Sequence, residues 1–564
     1  MVPGVRFVGS EVCASCHADI FNEFRQTQMG RSMIAGNQSS FVASLPLPAK
    51  VYDKDTGQYF EVLRRDGHLY QSQYALDEDG RELSRQTWKI DYVIGAGANG
   101  FGFLIHRGGH LFEAPITYYN KTQTWSFSPG YEFHNYGFTR PILARCIICH
   151  SGQPRPVAGG VGLYEDPPFA ELAVGCENCH GPGDLHVTQR REEQMMGIAP
   201  SEAADTNIVN PARLSGWLAD NICMRCHQGQ DARVLRPGFR DQDFRPGMEL
   251  DKIISIFKIA PDPGSTPSSL LLEHYFGMTL SKCYRASAGA LHCISCHDPH
   301  VQLSGAAATD FYKSRCLTCH NPQSCRLNLD KRQATNPPDD CVGCHMPKRT
   351  VTTITHAALT DHTIPMNPSS SIQGQPPKAQ GTELLYLTGP LGERESLQSV
   401  PPFVLFQAYN NLVRDGYPQF QQKKDELLNQ VARTMPSDPI VLRALAERAF
   451  SQNTAEGRHK AIGYMAQIMR SGSINVDDSL VLASLYSSDK RYQQAVDVLE
   501  RTRAADPYFR EIYESLAAQY LALGKYRQAL TVLQQGLELF PDDAKLRILE
   551  KNARSATLDG ALTD

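Results

Sequence analysis

Seven repeats of one short pattern constrain this chain more than anything else in it. Fourteen of its 16 cysteines fall into Cys-x-x-Cys-His units. These are Cys13/Cys16/His17, Cys146/Cys149/His150, Cys176/Cys179/His180, Cys223/Cys226/His227, Cys293/Cys296/His297, Cys316/Cys319/His320 and Cys341/Cys344/His345. The pattern is the attachment signature of c-type haem, in which two thiols add to the porphyrin vinyl groups and the adjacent histidine binds iron. The chain's own Cys and His frequencies predict roughly 0.01 chance matches, against seven. Zinc ribbons also use Cys-x-x-Cys pairs, but they do not require a histidine after every second cysteine. A redox dithiol would occur once, in a βαβ setting. The sequence therefore predicts seven covalently attached haems c.

Haem c is attached after export, so the expected location is periplasmic, extracellular or at the cell surface. The first motif begins at Cys13, which leaves no room for a leader peptide ahead of it. The expectation is a leader that was trimmed or lies upstream of this start. Acidic and basic residues nearly balance, 60 against 56, for a formal charge of −4. No basic stripe points to nucleic acid. The mean hydropathy of −0.36, with no apolar run of about 18 residues, predicts no membrane span.

At 564 residues, several domains are expected. Residues 1–40 hold the first motif. Residues 41–135 lack the motif, are rich in Tyr, Phe, Thr and Val, and carry turn signals such as Asp55-Thr56-Gly57 and Arg107-Gly108-Gly109; they read as a β-rich insertion. Residues 136–370 carry the other six motifs among Pro/Gly-rich loops and short helices. Residues 371–401 read as a linker, 402–545 as a repeat domain and 546–564 as a tail. In the repeat domain Leu482, Ala483, Tyr486, Ala495, Leu499 and Pro507 recur 34 residues later as Leu516, Ala517, Tyr520, Ala529, Leu533 and Pro541. These are the small, aromatic and proline positions of the tetratricopeptide repeat, where small residues let paired helices pack closely. Pro439 and Ala461 extend the period upstream into two more degenerate repeats; a generic helical bundle is the competing reading. The expected fold is multidomain: a loop-rich, mainly helical multihaem core with a β insertion, followed by an all-α repeat solenoid.

The haem region resembles multihaem cytochromes related to the tetrahaem electron carrier of ammonia-oxidising bacteria, in the bacterial branch fused to tetratricopeptide repeats. The resemblance rests on the segments Val8–His17, Cys176–Gly183 followed by His186, Cys293–His300 and Cys341–Pro347. It implies haems in closely stacked pairs, with electrons passing along the row. One departure stands out. Such proteins commonly place a histidine about a dozen residues after the first motif, where this chain has Gln28-Met29-Gly30-Arg31-Ser32-Met33. Either Met29 or Met33 becomes the sixth ligand, or that iron takes one from elsewhere; an ordinary core methionine is the alternative.

Ten histidines in residues 1–370 lie outside the motifs, so ligand supply exceeds demand. His300 sits three residues beyond His297 and His186 six beyond His180, too close to cap their own haems, so each should serve a neighbour. His356 and His362 follow the last motif; His134 precedes the second and His274 the fifth. All six are candidate distal ligands. His68, His106 and His110 in the β region read as plain surface or core residues, His292 as too close to Cys293, and Met278 as a second possible sulfur ligand. Cys283 and Cys325 stand outside the motifs, as free thiols or as a disulfide.

Three functions fit these features. The first is electron transfer between redox proteins or a membrane electron-transfer complex, with the repeats docking a protein partner. The second is a multihaem oxidoreductase acting on a small nitrogen or sulfur species at one five-coordinate haem. The third is an interaction protein whose haems sense redox state or build a filament.

Overall fold

The computed structural model describes residues 4–37, 43–131, 135–199, 205–229, 231–260, 274–350, 358–366, 381–389, 397–472, 475–541 and 543–560. The candidate ligands His134 and His356 lie outside them.

Strands dominate the first part of the chain. Alternating aromatic and polar residues form a four-stranded antiparallel meander of Ala49–Asp53, Gln58–Arg65, His68–Leu76 and Glu82–Lys89. Beside it lies a seven-stranded sheet. Its strands run from Met33–Ala35 through Tyr92–Ile94, Gly100–Arg107 and His110–Glu113 to Arg140–Pro141, with Ile116–Tyr119 and Thr124–Phe127 attached to Gly100–Arg107. Leu69, Ile90, Val93, Phe101, Phe103 and Ile105 fill the core between the two sheets. The sheet thus begins before residue 41 and ends after 135, its outer strands following the first motif and leading into the second.

Regular structure in residues 136–370 is mostly helical, with strands between the helices. Helices there are short and cluster at the motifs, while Gln153–Pro156 pairs with Tyr164–Glu171 and Ala232–Leu235 pairs with Ile254–Ile259. The strand Ile254–Ile259 is buried along its whole length because it is the central strand of three. Its third neighbour, Leu384–Tyr386, comes from the segment expected to be a linker. Helix Pro402–Arg414 then packs Val404, Ala408, Tyr409 and Leu412 onto Val234, Phe257 and Tyr386. The first helix of the expected repeat domain is therefore part of the core of the preceding region.

From there the chain is helical: Gln421–Thr434, Pro439–Ser451, Ala455–Arg470, Val476–Ser488, Tyr492–Ala505, Arg510–Ala522, Tyr526–Leu539 and Ala544–Gly560. Proline at the first helical position with Asp438 accepting from the N–H groups of Ile440 and Val441 starts one; an Asn475/Asp478 capping box starts another. Ala483, Ala495, Ala517 and Ala529, the small positions of the 34-residue period, are fully buried where helices meet. The loop between Tyr492–Ala505 and Arg510–Ala522 docks on the β region. Tyr508 packs edge-on against Phe112 and His110 with centroids 5.1 Å from each, and the Arg107 guanidinium lies 4.5 Å from the Tyr508 ring. His110 Nε2 is 3.3 Å from an Asp506 carboxylate oxygen. Among the described residues, no helix is long and apolar enough to cross a membrane.

Candidate cofactor site at the Cys-x-x-Cys-His motifs

Each motif sits on or at the edge of a helical turn. The amide of His17 donates to the Cys13 carbonyl at 2.9 Å, and those of His180, His297 and His320 donate to Cys176, Cys293 and Cys316 at 3.0 Å. Positions i, i+3 and i+4 share one face of such a turn, so both thiols and the imidazole project to the same side. The turns belong to Ser10–Ala14, Ala144–Ile147, Glu177–His180, the end of Gly216–His227, Cys293–Cys296, the end of Gly305–Leu317 and Cys341–His345.

Motif histidines face other histidines from distant parts of the chain. The His17 and His186 rings have centroids 6.3 Å apart and planes 17° apart; for His180 and His300 the values are 6.0 Å and 19°. His297 and His362 are 6.3 Å apart at 31°, and His227 and His274 5.6 Å apart at 85°. Two imidazoles bound by Nε2 on opposite sides of one metal, each about 2.0 Å from it, place their centroids roughly 6 Å apart. His274 also lies 4.7 Å from His362, so the fourth and fifth motifs share a histidine cluster.

The far side of these rings is tied down. His180 Nδ1–H donates to the Val209 carbonyl, His362 to Thr360 and His345 to Pro365, each at 2.8 Å. His186 Nδ1 meets the Asp205 carboxylate at 2.7 Å, His300 Nδ1 is 3.4 Å from Asp298 and His297 Nδ1 is 3.4 Å from the Tyr312 hydroxyl. A carbonyl on Nδ1 fixes the tautomer and leaves the Nε2 lone pair for a metal. Burial raises the Asp205 pKa, but hydrogen bonds from Arg190 and His186 outweigh it and bring the carboxyl down to about 2.

Burial pulls the imidazoles in the opposite direction. It is the main cause lowering His180, His227 and His362, and with neighbouring histidines it takes His297 to about 4 and His274 to about 3. These rings are neutral donors at pH 7. His227 and His297 nevertheless keep exposed surface. The stretch around the last three motifs lacks an apolar core: between Met278 and Leu384 no described residue is a buried hydrophobic. Its ordered turns instead surround the buried Asp339, which pairs with Lys313 at 2.5 Å and Arg332 at 3.1 Å.

Thiol neighbours give the motifs a spatial order. Hydrogen-bond contact with Cys176 raises the Cys13 thiol, contact with Cys226 raises Cys149 and contact with Cys223 raises Cys293, with burial adding in each case. Cys179 also feels Cys223, Cys296 feels Cys319, and Cys316 feels Cys341. The first motif thus neighbours the third, the second and third neighbour the fourth, and the fourth leads through the fifth and sixth to the seventh.

Cys16 and Cys344 differ in their surroundings, although the sequence treats them as equivalent to the other motif cysteines. Cys16 is exposed, its sulfur 3.8 Å from the Ser15 hydroxyl, and Cys344 is half-buried with its amide donating to the Asp340 carbonyl at 3.3 Å. Each is placed by its own turn rather than by a thiol of a neighbouring motif.

The structure also places the remaining candidates. His186, rather than Met29 or Met33, stands opposite His17. Met33 is a core residue packed with Leu104, Leu111 and Ile147, and Met29 is half-buried. Met278 is likewise a core residue, beside Ile222 and Tyr275. His68 bonds the Asp66 carbonyl in a hairpin, and His110 serves the contact with Asp506. Cys283 and Cys325 are free thiols. Asp205 and Val209, which orient two of the imidazoles, had no sequence signature. Among the described residues no three His, Cys, Asp or Glu side chains converge as a protein-only metal site would require.

The tetratricopeptide repeat family matches residues 486–552. No curated protein relative matches the chain. Solved structures similar to it are repeat proteins. The Arabidopsis OM64 TPR domain is 17% identical, over 21% of this chain and 94% of that one, with a TM-score of 0.19. The thermophilic TPR protein TTC0263 of Thermus thermophilus is 20% identical, over 29% and 85%, with a TM-score of 0.22. MamA from Desulfovibrio magneticus RS-1 is 18% identical, over 28% and 90%, with a TM-score of 0.23. The C-terminal region of this chain is a tetratricopeptide repeat array, an architecture suited to protein–protein contact.

Proposed function

We propose that the chain is a seven-haem c-type cytochrome that carries electrons between redox partners outside the cytoplasm and docks a protein through its repeats. The observation that carries this reading is the set of facing imidazoles, His17/His186, His180/His300, His297/His362 and His227/His274, each including a Cys-x-x-Cys-His histidine. The donor set fits haem: paired thiols on one face of a turn for thioether bonds, an adjacent imidazole, and a second imidazole at the separation a shared iron requires. A coreless stretch around three motifs also suits a group that brings its own apolar bulk.

In this reading the seven cysteine pairs hold the porphyrins. His17, His150, His180, His227, His297, His320 and His345 are the proximal ligands, and His186, His300, His362 and His274 are distal ligands. Bound there, haem supplies reversible one-electron iron chemistry whose potential follows axial ligation and burial. The chain's residues do the rest. Val209, Asp205 and Thr360 fix ring orientation and tautomer, burial keeps the imidazoles neutral, and contacts between motifs bring successive sites close together.

Low-temperature EPR of the oxidised protein tests this. Low-spin signals throughout, insensitive to added small ligands, are expected of a carrier. A substantial high-spin signal that responds to nitrite or hydroxylamine would replace this reading with the oxidoreductase one.

A further inference from the structure

We propose that the surface around the sixth motif is the port at which an acidic redox protein docks and exchanges electrons with the chain. This rests on the reading of the motifs as haem sites and adds to it a place and a partner chemistry.

From Leu317 onward the sixth motif lies open at the surface. Leu317, Thr318, Cys319 and His320 are all exposed, and so is nearly every residue from 321 to 335. A group held by Cys316 and Cys319 therefore lies at the surface, whereas Cys179, Cys223 and Cys293 are flanked by neighbouring motifs. The sixth motif also connects inward, since Cys319 neighbours Cys296 of the fifth and Cys316 neighbours Cys341 of the seventh.

The surroundings are basic in a chain of net charge −4. Residues 313–332 contain Lys313, Arg315, Arg326, Lys331 and Arg332 against the single carboxylate of Asp330. Lys313 and Arg332 are engaged by Asp339, and Arg315 lies 4.7 Å from the Phe311 ring centre. Arg326 and Lys331 are exposed and form no ion pair among the described residues. Leu317, Leu327 and Leu329 are 39%, 48% and 55% exposed on the same segment. Apolar side chains ringed by cations match the anatomy of a transient protein interface, with the charge guiding approach and the leucines making the contact. The exchange moves one electron, with no bond made or broken: what the partner loses the chain gains, or the reverse.

The test uses the full-length protein with its haem content measured, and reduced flavodoxin as the acidic protein probe in stopped-flow mixing. The pair Arg326→Glu/Lys331→Glu is compared with Lys54→Glu/Lys121→Glu, which reverses two exposed charges on the β sheets. At low ionic strength the first pair is expected to slow electron transfer by about tenfold or more, with the difference vanishing at high salt, while the second pair leaves the rate near wild type. Equal rates for both pairs, or equal slowing by both, would overturn the port. Loss of binding to anionic phosphatidylglycerol vesicles with the flavodoxin rate unchanged would assign the patch to a membrane and overturn it too. Wild-type protein without covalent haem would remove the functional reading itself, whereas full haem content with unaltered rates removes the port alone.

Discussion

His186 shows how a single side chain is prepared for its role. Its Nδ1 is held by Asp205, which is held in turn by Arg190. The Asp205 carboxyl is depressed from 3.8 to about 2 in the folded chain, so its contribution to stability is complete above its ordinary pKa and is lost as pH falls through about 2. After solvent screening this is worth about 1 kcal/mol. Asp205→Asn should lower the urea midpoint at pH 7 and lose most of that difference near pH 2, as read by circular dichroism at both pH values. His186→Met should leave seven attached haems but change the spectrum of one, converting a bis-imidazole low-spin signal to a Met/His one of higher potential. An unchanged set of low-spin signals and potentials would mean that His186 does not face the His17 site. The motif residues were legible in the sequence because one spacing recurs seven times. What the spacing does not encode is surroundings: Cys16 is exposed and Cys344 half-buried, although their motifs read alike. The distal partners were less legible still: His17 and His186 meet across most of the first third of the chain, and no local pattern encodes that encounter.

At the scale of elements, two kinds of regularity behaved differently. The 34-residue period survives intact because each small residue sits where two helices touch. Leu516 and Ala517 are completely buried in that contact. Leu516→Ala should cost about 2–5 kcal/mol through the cavity it leaves, and Ala517→Leu about 1–3 kcal/mol through overpacking, both measured by denaturant unfolding. The turn between paired helices is equally regular, with Gly524 at φ 71° and, one period earlier, Lys490 at φ 58°. Glycine adopts that conformation freely and lysine does not. Lys490→Gly should therefore stabilise the array by about 0.5–1 kcal/mol, and a lower unfolding midpoint would contradict the assignment. The strand Ile254–Ile259 was harder to read. Its burial on both faces erases the apolar–polar alternation that marks the outer strands, and it pairs with Leu384–Tyr386 more than a hundred residues away. Strands of this kind lie among the helices expected there.

At the scale of the whole molecule, the repeat array and the cofactor region are less separable than composition suggests. Helix Pro402–Arg414 closes the three-stranded sheet, so a truncation before residue 402 removes Val404, Tyr409 and Leu412 from its core. Truncation after residue 434 spares them. The longer fragment should keep its motif region folded and the shorter one should not, as limited proteolysis would show. The second tie is the contact of Tyr508 with the Arg107–His110 hairpin. Gly108 has φ 57°, and a Cβ there would lie 2.5 Å from the Tyr508 hydroxyl oxygen. Gly108→Val or Tyr508→Ala should free the array from the sheet and increase the radius of gyration in small-angle scattering, with the repeats still folded. No change in scattering would mean that other contacts hold the two parts together.

The account depends most directly on what the seven cysteine pairs carry. Intact-mass spectrometry together with the pyridine haemochrome assay, on full-length protein produced in a host that matures c-type cytochromes, measures this in one preparation. The prediction is a mass excess of seven haems per chain, resistant to acid–acetone extraction, with one haem lost for each Cys-x-x-Cys-His pair changed to alanine. A chain at its bare polypeptide mass, with zinc bound or with no prosthetic group at all, would contradict it.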